Sequence, residues 1–214
     1  MEFKNLKIIP ISITPCLYFD NIELDHNKIL DEIKKLPFKK ISQETFSFNL
    51  IQKGIYISEN ETNIFTDLDS GQTMLNVFSN YISKSINNIY EYDIDFKLTT
   101  NWATKTEPNG IGEYHKHPNF WLSGCYYPEG EIEDKLYICL KKPYGNTYQP
   151  NPKRLNNLNG TFVEIIIRKG TLLIFPAEIE HRIGYNNTNR NRYSIAFNIL
   201  PKGKMGKSDG QYIF

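Results

Sequence analysis

Cysteine is scarce in this chain of 214 residues: Cys16, Cys125 and Cys139, with no Cys-x-x-Cys spacing. An odd, scattered set argues against a disulfide framework and against a cysteine-ligated zinc module. Each cysteine lies in an apolar stretch and reads as a small buried hydrophobe. Charge of one sign is also lacking. Lys and Arg total 25 against 24 Asp and Glu, a net charge of +1, so no broad field draws in nucleic acid or a membrane surface. No stretch approaches the roughly 18 consecutive apolar residues of a spanning helix. The N-terminus, MEFKNLKIIPISITP, lacks the basic start and long apolar core of a secretion signal. These absences lead us to expect a soluble protein of the reducing cytoplasm. No internal repeat and no linker interrupts the chain, so a single domain over residues 1–214 is expected, long enough to bury a sizeable core.

Hydrophobic residues make up 40% and aromatics 14%, a globular composition. Residues 5–19, with Pro10 and Pro15, read as an irregular strand near a sheet edge. Residues 25–36 put Ile29, Leu30, Ile33 and Leu36 on one helical face behind a candidate N-cap, Asp25. Residues 45–58 suggest paired strands. The clearest helix runs over 69–90, where Met74, Val77, Phe78, Tyr81, Ile82, Ile86 and Ile89 recur at intervals of three and four. Such a stripe marks a face packed on a core.

Beyond residue 94 short β-like runs follow one another: 95–105, 120–127, 135–142, 161–176, 181–185 and 192–200. Lys169-Gly170 signals a tight turn, and 143–160, rich in Pro, Asn and Gly, reads as a surface loop. Helices followed by many short strands predict a mainly β fold, a β-sandwich or jelly roll buttressed by the N-terminal helices. Within it, 1–94 supplies strands and supporting helices, 95–200 the β core, and 201–214 a loosely ordered tail.

Histidine is nearly as rare as cysteine, with four residues. His26 falls on the polar side of the first helix and reads as solvated. The other three lie in the β-rich half: His115 and His117 in EYHKHPN, and His181 in FPAEIEHRI. Residues i and i+2 of a strand face the same way, so His115 and His117 can present two imidazoles to one metal, with His181 completing the set from a distant strand. Imidazole suits iron, zinc, copper and nickel alike, and two surface histidines beside a proline need no ligand role. Downstream, RYSIAFNIL places Arg192, Ser194, Ala196 and Asn198 on one face and Tyr193, Ile195 and Phe197 on the other. The second face is core, which sends Arg192 and Ser194 inward. A buried guanidinium is costly unless paired with an anion, so an inward Arg-x-Ser predicts a small carboxylate ligand. The competing reading leaves Arg192 exposed at the strand's start.

Together these motifs resemble the iron(II)/2-oxoglutarate-dependent oxygenases. The runs HKHPNFWLSGCYYPEG, KGTLLIFPAEIEHRI and RYSIAFNILP, with TNWATK before them, are similar to a group of such oxygenases from phage and marine bacterial genomes. The resemblance covers about residues 95–205. It implies a double-stranded β-helix (jelly roll, cupin-like), with Fe(II) and the cosubstrate 2-oxoglutarate as cofactors. It further implies oxidative decarboxylation of 2-oxoglutarate coupled to hydroxylation of a substrate. His115, His117 and His181 would be metal ligands, and Arg192, Ser194 and Tyr127 would bind the distal carboxylate of 2-oxoglutarate. The sequence departs from the family pattern at His117, where a carboxylate is usual. His117 as third ligand, an offset pair of His117 and Asn119, or a carboxylate from Glu113 all remain open. A cupin-like metal- or sugar-binding module without oxygenase activity is the alternative. The primary substrate, a homodimer and a phage source stay open.

Overall fold

The computed structural model describes residues 14–41, 53–59, 62–139, 152–154 and 160–214. The expected loop at 143–160 and the first half of the expected strand pair at 45–58 fall largely outside these residues. A large antiparallel sheet has the order β1-β8-β5-β10-β4-β3-β2. Its strands are β1 (Leu17–Phe19), β2 (Phe38–Lys40), β3 (Lys53–Ser58), β4 (Asp95–Ile111), β5 (Leu122–Tyr127), β8 (Thr171–Pro176) and β10 (Arg192–Lys202). A small sheet, order β7-β6-β9, is built from β6 (Lys135–Cys139), β7 (Phe162–Ile166) and β9 (His181–Ile183). The two faces enclose a jelly-roll cavity. Strand β1, the described end of the expected strand at 5–19, lies at the edge of the sheet; residues 5–13 of that run, with Pro10, fall outside the described residues.

Among the described residues, three helices lie N-terminal to β4: α1 (His26–Ile33), α2 (Ile64–Asp67) and α3 (Gly71–Asn88). Asp25 caps α1 by accepting from the Lys28 backbone N–H at 3.0 Å. Met74, Phe78, Ile82 and Ile86 of α3 are fully buried and meet Tyr126, Ile195 and Phe197 from the outer face of the large sheet. Phe78 stacks on Phe197 at 5.2 Å between ring centres. The stripe stops short of Ile89, which is 54% exposed because the helix ends at Asn88. Gly124 on β5 admits the Phe197 ring; a Cβ there would stand 2.2 Å from it.

Two expectations need correction. His26 is buried, with Nδ1 2.6 Å from the Tyr126 hydroxyl, because its place in the first turn of α1 faces the sheet and not solvent. Lys169-Gly170 makes the expected tight turn, with Thr171 N donating to Arg168 O at 3.1 Å and Gly170 at φ 78°, and it carries the chain from β7 in the small sheet to β8 in the large one. The tail is more ordered than its composition suggests, since β11 (Lys204–Met205) and β12 (Tyr212–Ile213) pair as a small exposed hairpin. The short helix α2, capped by the Asn63 side chain on Phe65 N, was not foreseen.

Candidate metal centre

His115 and His181 meet as an antiparallel bridge at the edge of the small sheet. The backbone N–H of each donates to the carbonyl of the other at 2.9 Å. His117 is tied to a different element: its N–H donates to Ala177 O at 2.8 Å, just past β8. The edge of the small sheet and the end of β8 therefore bring the three rings together, with one candidate ligand atom from each lying within 4.8 Å of the others. Among the described residues this is the only such convergence of His, Cys, Asp and Glu, and the Glu113 carboxylate is not part of it. Asn119 is exposed.

Backbone carbonyls set the tautomers. His115 Nδ1 lies 2.9 Å from Glu113 O, and His181 Nδ1 lies 2.8 Å from Ile179 O. A carbonyl only accepts, so each Nδ1 carries the proton and each Nε2 offers a lone pair. Burial lowers the His181 pKa to about 3, helped by the neighbouring His115. Burial and then His115 lower His117 to about 4. Both rings are thus neutral at physiological pH, the form that binds metal. Phe175 stands edge-on to His181 at 4.8 Å and Trp102 lies 5.8 Å from His117. Three imidazoles whose candidate ligand atoms converge fit a divalent first-row metal.

The histidines line one end of a cavity of about 320 Å³. Tyr127 and Ser194 stand on its wall with Ser123, Cys125 and Thr104, while Ile55, Ile57, Trp102 and Ile183 make it largely apolar. The inner face of β10 carries Arg192 and Ser194 inward, 3% and 5% exposed. Cys125 counts as half-buried because it faces this cavity. Burial raises its thiol to about 11, partly offset by hydrogen bonds with Tyr127 and Ser194 and by the charge of Arg192. Tyr127 and Ser194 thus share the cavity wall, and the charge of Arg192, which does not line the cavity, reaches Cys125 and Tyr127.

Arg192 also meets a carboxylate of the chain itself. Its Nη1 donates to Asp134 Oδ1 at 3.2 Å and its Nη2 to Gly184 O at 2.6 Å, a step back from the cavity wall. Asp134 is fully buried. Its Oδ2 accepts from Glu131 N at 3.0 Å and from the Arg190 guanidinium. Sequence reasoning missed this residue: in EGEIEDKLY, Asp134 is one acid among four, and only the tertiary pairing distinguishes it from solvated charge.

Residues 100–198 match the family model described as "Putative 2OG-Fe(II) oxygenase". Over these residues the chain resembles the 2OG-Fe(II) oxygenase family. Solved structures of low identity share the fold. An oxidoreductase of the 2OG-Fe(II) oxygenase family from Burkholderia pseudomallei superposes with a TM-score of 0.60 at 9% identity, over 86% of this chain and 84% of that one. HygX from Streptomyces hygroscopicus, with nickel, 2-oxoglutarate and hygromycin B bound, gives 0.60 at 10% identity, over 88% and 83%. A prolyl hydroxylase from Trichoplax adhaerens, in complex with a hypoxia inducible factor peptide fragment, gives 0.59 at 14% identity, over 86% and 83%. No curated protein matches the sequence. The double-stranded β-helix of these oxygenases is therefore the fold of this chain, with its helices packed outside the large sheet.

Proposed function

We propose that this chain is a single-domain Fe(II)- and 2-oxoglutarate-dependent hydroxylase, with His115, His117 and His181 as the iron ligands. The observation that carries this reading is the convergence of three imidazoles at a cavity whose wall presents Tyr127 and Ser194, backed by Arg192. Tyr127 and Ser194 would donate to the distal carboxylate of 2-oxoglutarate, and Arg192 would supply positive charge beside them. Iron with 2-oxoglutarate supplies oxidative decarboxylation coupled to oxidation of a substrate C–H bond. The chain's own work is positional. Glu113 O and Ile179 O hold the His115 and His181 rings in the ligand tautomer, Phe175 shields His181, and the aliphatic wall excludes water. HygX, whose crystals contain nickel and 2-oxoglutarate, supports the cofactor pair. Hydroxylation is the default outcome for such a site, although a structural relative, SnoN, is an epimerase.

Anaerobic addition of Fe(II) and 2-oxoglutarate should produce a weak visible charge-transfer band, and aerobic turnover with candidate substrates should release succinate. Arg192→Ala should abolish the band. Its absence from iron-loaded wild-type protein would overturn the reading. The second reading, a cupin-like binding module, draws on the Asp134 pair, which satisfies Arg192 without any ligand. That module would bind metal and yield no succinate.

A further inference from the structure

Asp134 sits where β6 begins, and nothing in the metal centre requires it. Its two carboxylate oxygens are divided between two arginines. Oδ1 accepts from Arg192, and Oδ2 from Arg190 and from Glu131 N. Its backbone is fixed as well: Asp134 N donates to Glu131 O at 2.9 Å, and Ile167 N donates to Asp134 O at 2.8 Å. Arg190 is anchored in turn on Glu129 and Glu131. A fully buried carboxylate on the small sheet is thus held rigidly against a buried guanidinium on the large one. Two of the five N–H donors of Arg192 are engaged on this side, by Asp134 and by Gly184 O. The charge of Arg192 also reaches Cys125 and Tyr127, both on the cavity wall. A guanidinium is a planar fork, so fixing two of its corners fixes where the remaining donors point.

We infer that Asp134 is a positioning residue: it clamps Arg192 from behind so that the free edge of the fork faces the Tyr127 and Ser194 end of the cavity, where the distal carboxylate of 2-oxoglutarate would bind. This rests on the proposed reading of the cavity as a 2-oxoglutarate site. The clamp also answers why a buried arginine survives before cosubstrate arrives, since an uncompensated charge there would be strongly destabilising. Arg192 leaves the folded protein neutralised and already oriented, so cosubstrate capture need not order it.

The test compares two 2-oxo acids on Ni(II)-loaded protein by calorimetry. 2-Oxoglutarate carries the distal carboxylate; pyruvate lacks it and reports chelation at the metal alone. In Asp134→Ala the Kd for 2-oxoglutarate should rise ten-fold or more while the Kd for pyruvate stays within two-fold. Asp134→Asn, which keeps one acceptor and loses the grip of Arg190, should fall between. Loss of both ligands together would mark general damage to the metal site, and an unchanged or tighter 2-oxoglutarate Kd in folded Asp134→Ala would show that the carboxylate does not position Arg192. Either result overturns the inference. Should Asp134→Ala not fold, Arg190→Gln leaves the Asp134–Arg192 pair in place and loosens only its outer anchor. It should weaken 2-oxoglutarate several-fold and spare pyruvate, and equal binding of 2-oxoglutarate by Arg190→Gln and wild type would overturn the clamp. Failure of the wild type to prefer 2-oxoglutarate over pyruvate strikes the function reading instead, and so separates the two.

Discussion

A carbonyl two residues back along the chain fixes the proton of His115 on Nδ1, and the same arrangement recurs at His181. His117 occupies the position where the family usually has a carboxylate, so the candidate ligand set carries no negative charge of its own. A divalent ion held by three neutral nitrogens keeps its full charge in a partly buried site, which weakens retention. His117→Asp should therefore hold Fe(II) more tightly, by about ten-fold in competition with a chelator, whereas His181→Ala should lose the metal. Proton linkage adds a second residue-scale expectation. The folded pKa of His181 is about 3, below the ordinary value of about 6.5. Between these limits the unfolded chain binds the extra proton, so metal-free protein is most stable above that window and loses stability as the pH falls through it. Urea melts of the metal-free protein between pH 7 and 5 should decline more steeply for wild type than for His181→Gln, with His117 adding in the same direction.

At the scale of elements, α3 carries the packing that holds the large sheet in place. Phe78 is fully buried and touches Phe65, Tyr126 and Phe197. Truncating such an aromatic costs about 3–5 kcal/mol. Phe78→Ala should lower Tm strongly, yet the histidines stand on the opposite face of the sheet and the folded fraction should bind Ni(II) with wild-type affinity. The periodicity of α3 was readable because a face buried against a flat partner imposes a 3.6-residue repeat. His26 was misread by the same logic: an imidazole at the end of a helix looks polar until a tertiary partner, the Tyr126 hydroxyl, is placed beside it.

For the whole molecule, the site exists only when both sheets are assembled. His115 and His181 are joined through the edge of the small sheet, His117 is tied to the end of β8 in the large one, and Asp134 bridges to Arg192 across the two. Metal binding is therefore coupled to global folding. Ni(II) at a hundred times its Kd should stabilise the protein by about 2.7 kcal/mol, read as a rise in Tm, and 2-oxoglutarate should raise Tm again only when metal is present. A metal-independent effect of 2-oxoglutarate would count against the proposed cavity.

The sequence by itself determined the mainly β class, the amphipathic helices, the inward face of β10 and the three histidines, because each follows from a local period or a rare residue type. The family motifs added the ligand assignment. Only the tertiary structure decided that the three rings converge, that Glu113 supplies a backbone carbonyl to His115 and no ligand carboxylate to the cluster, and that Arg192 meets Asp134 before it meets any ligand. Those are pairings between residues far apart in the chain. Strand register and the closing of two sheets select them, and no local pattern in a single sequence records which of many acids will face a given arginine.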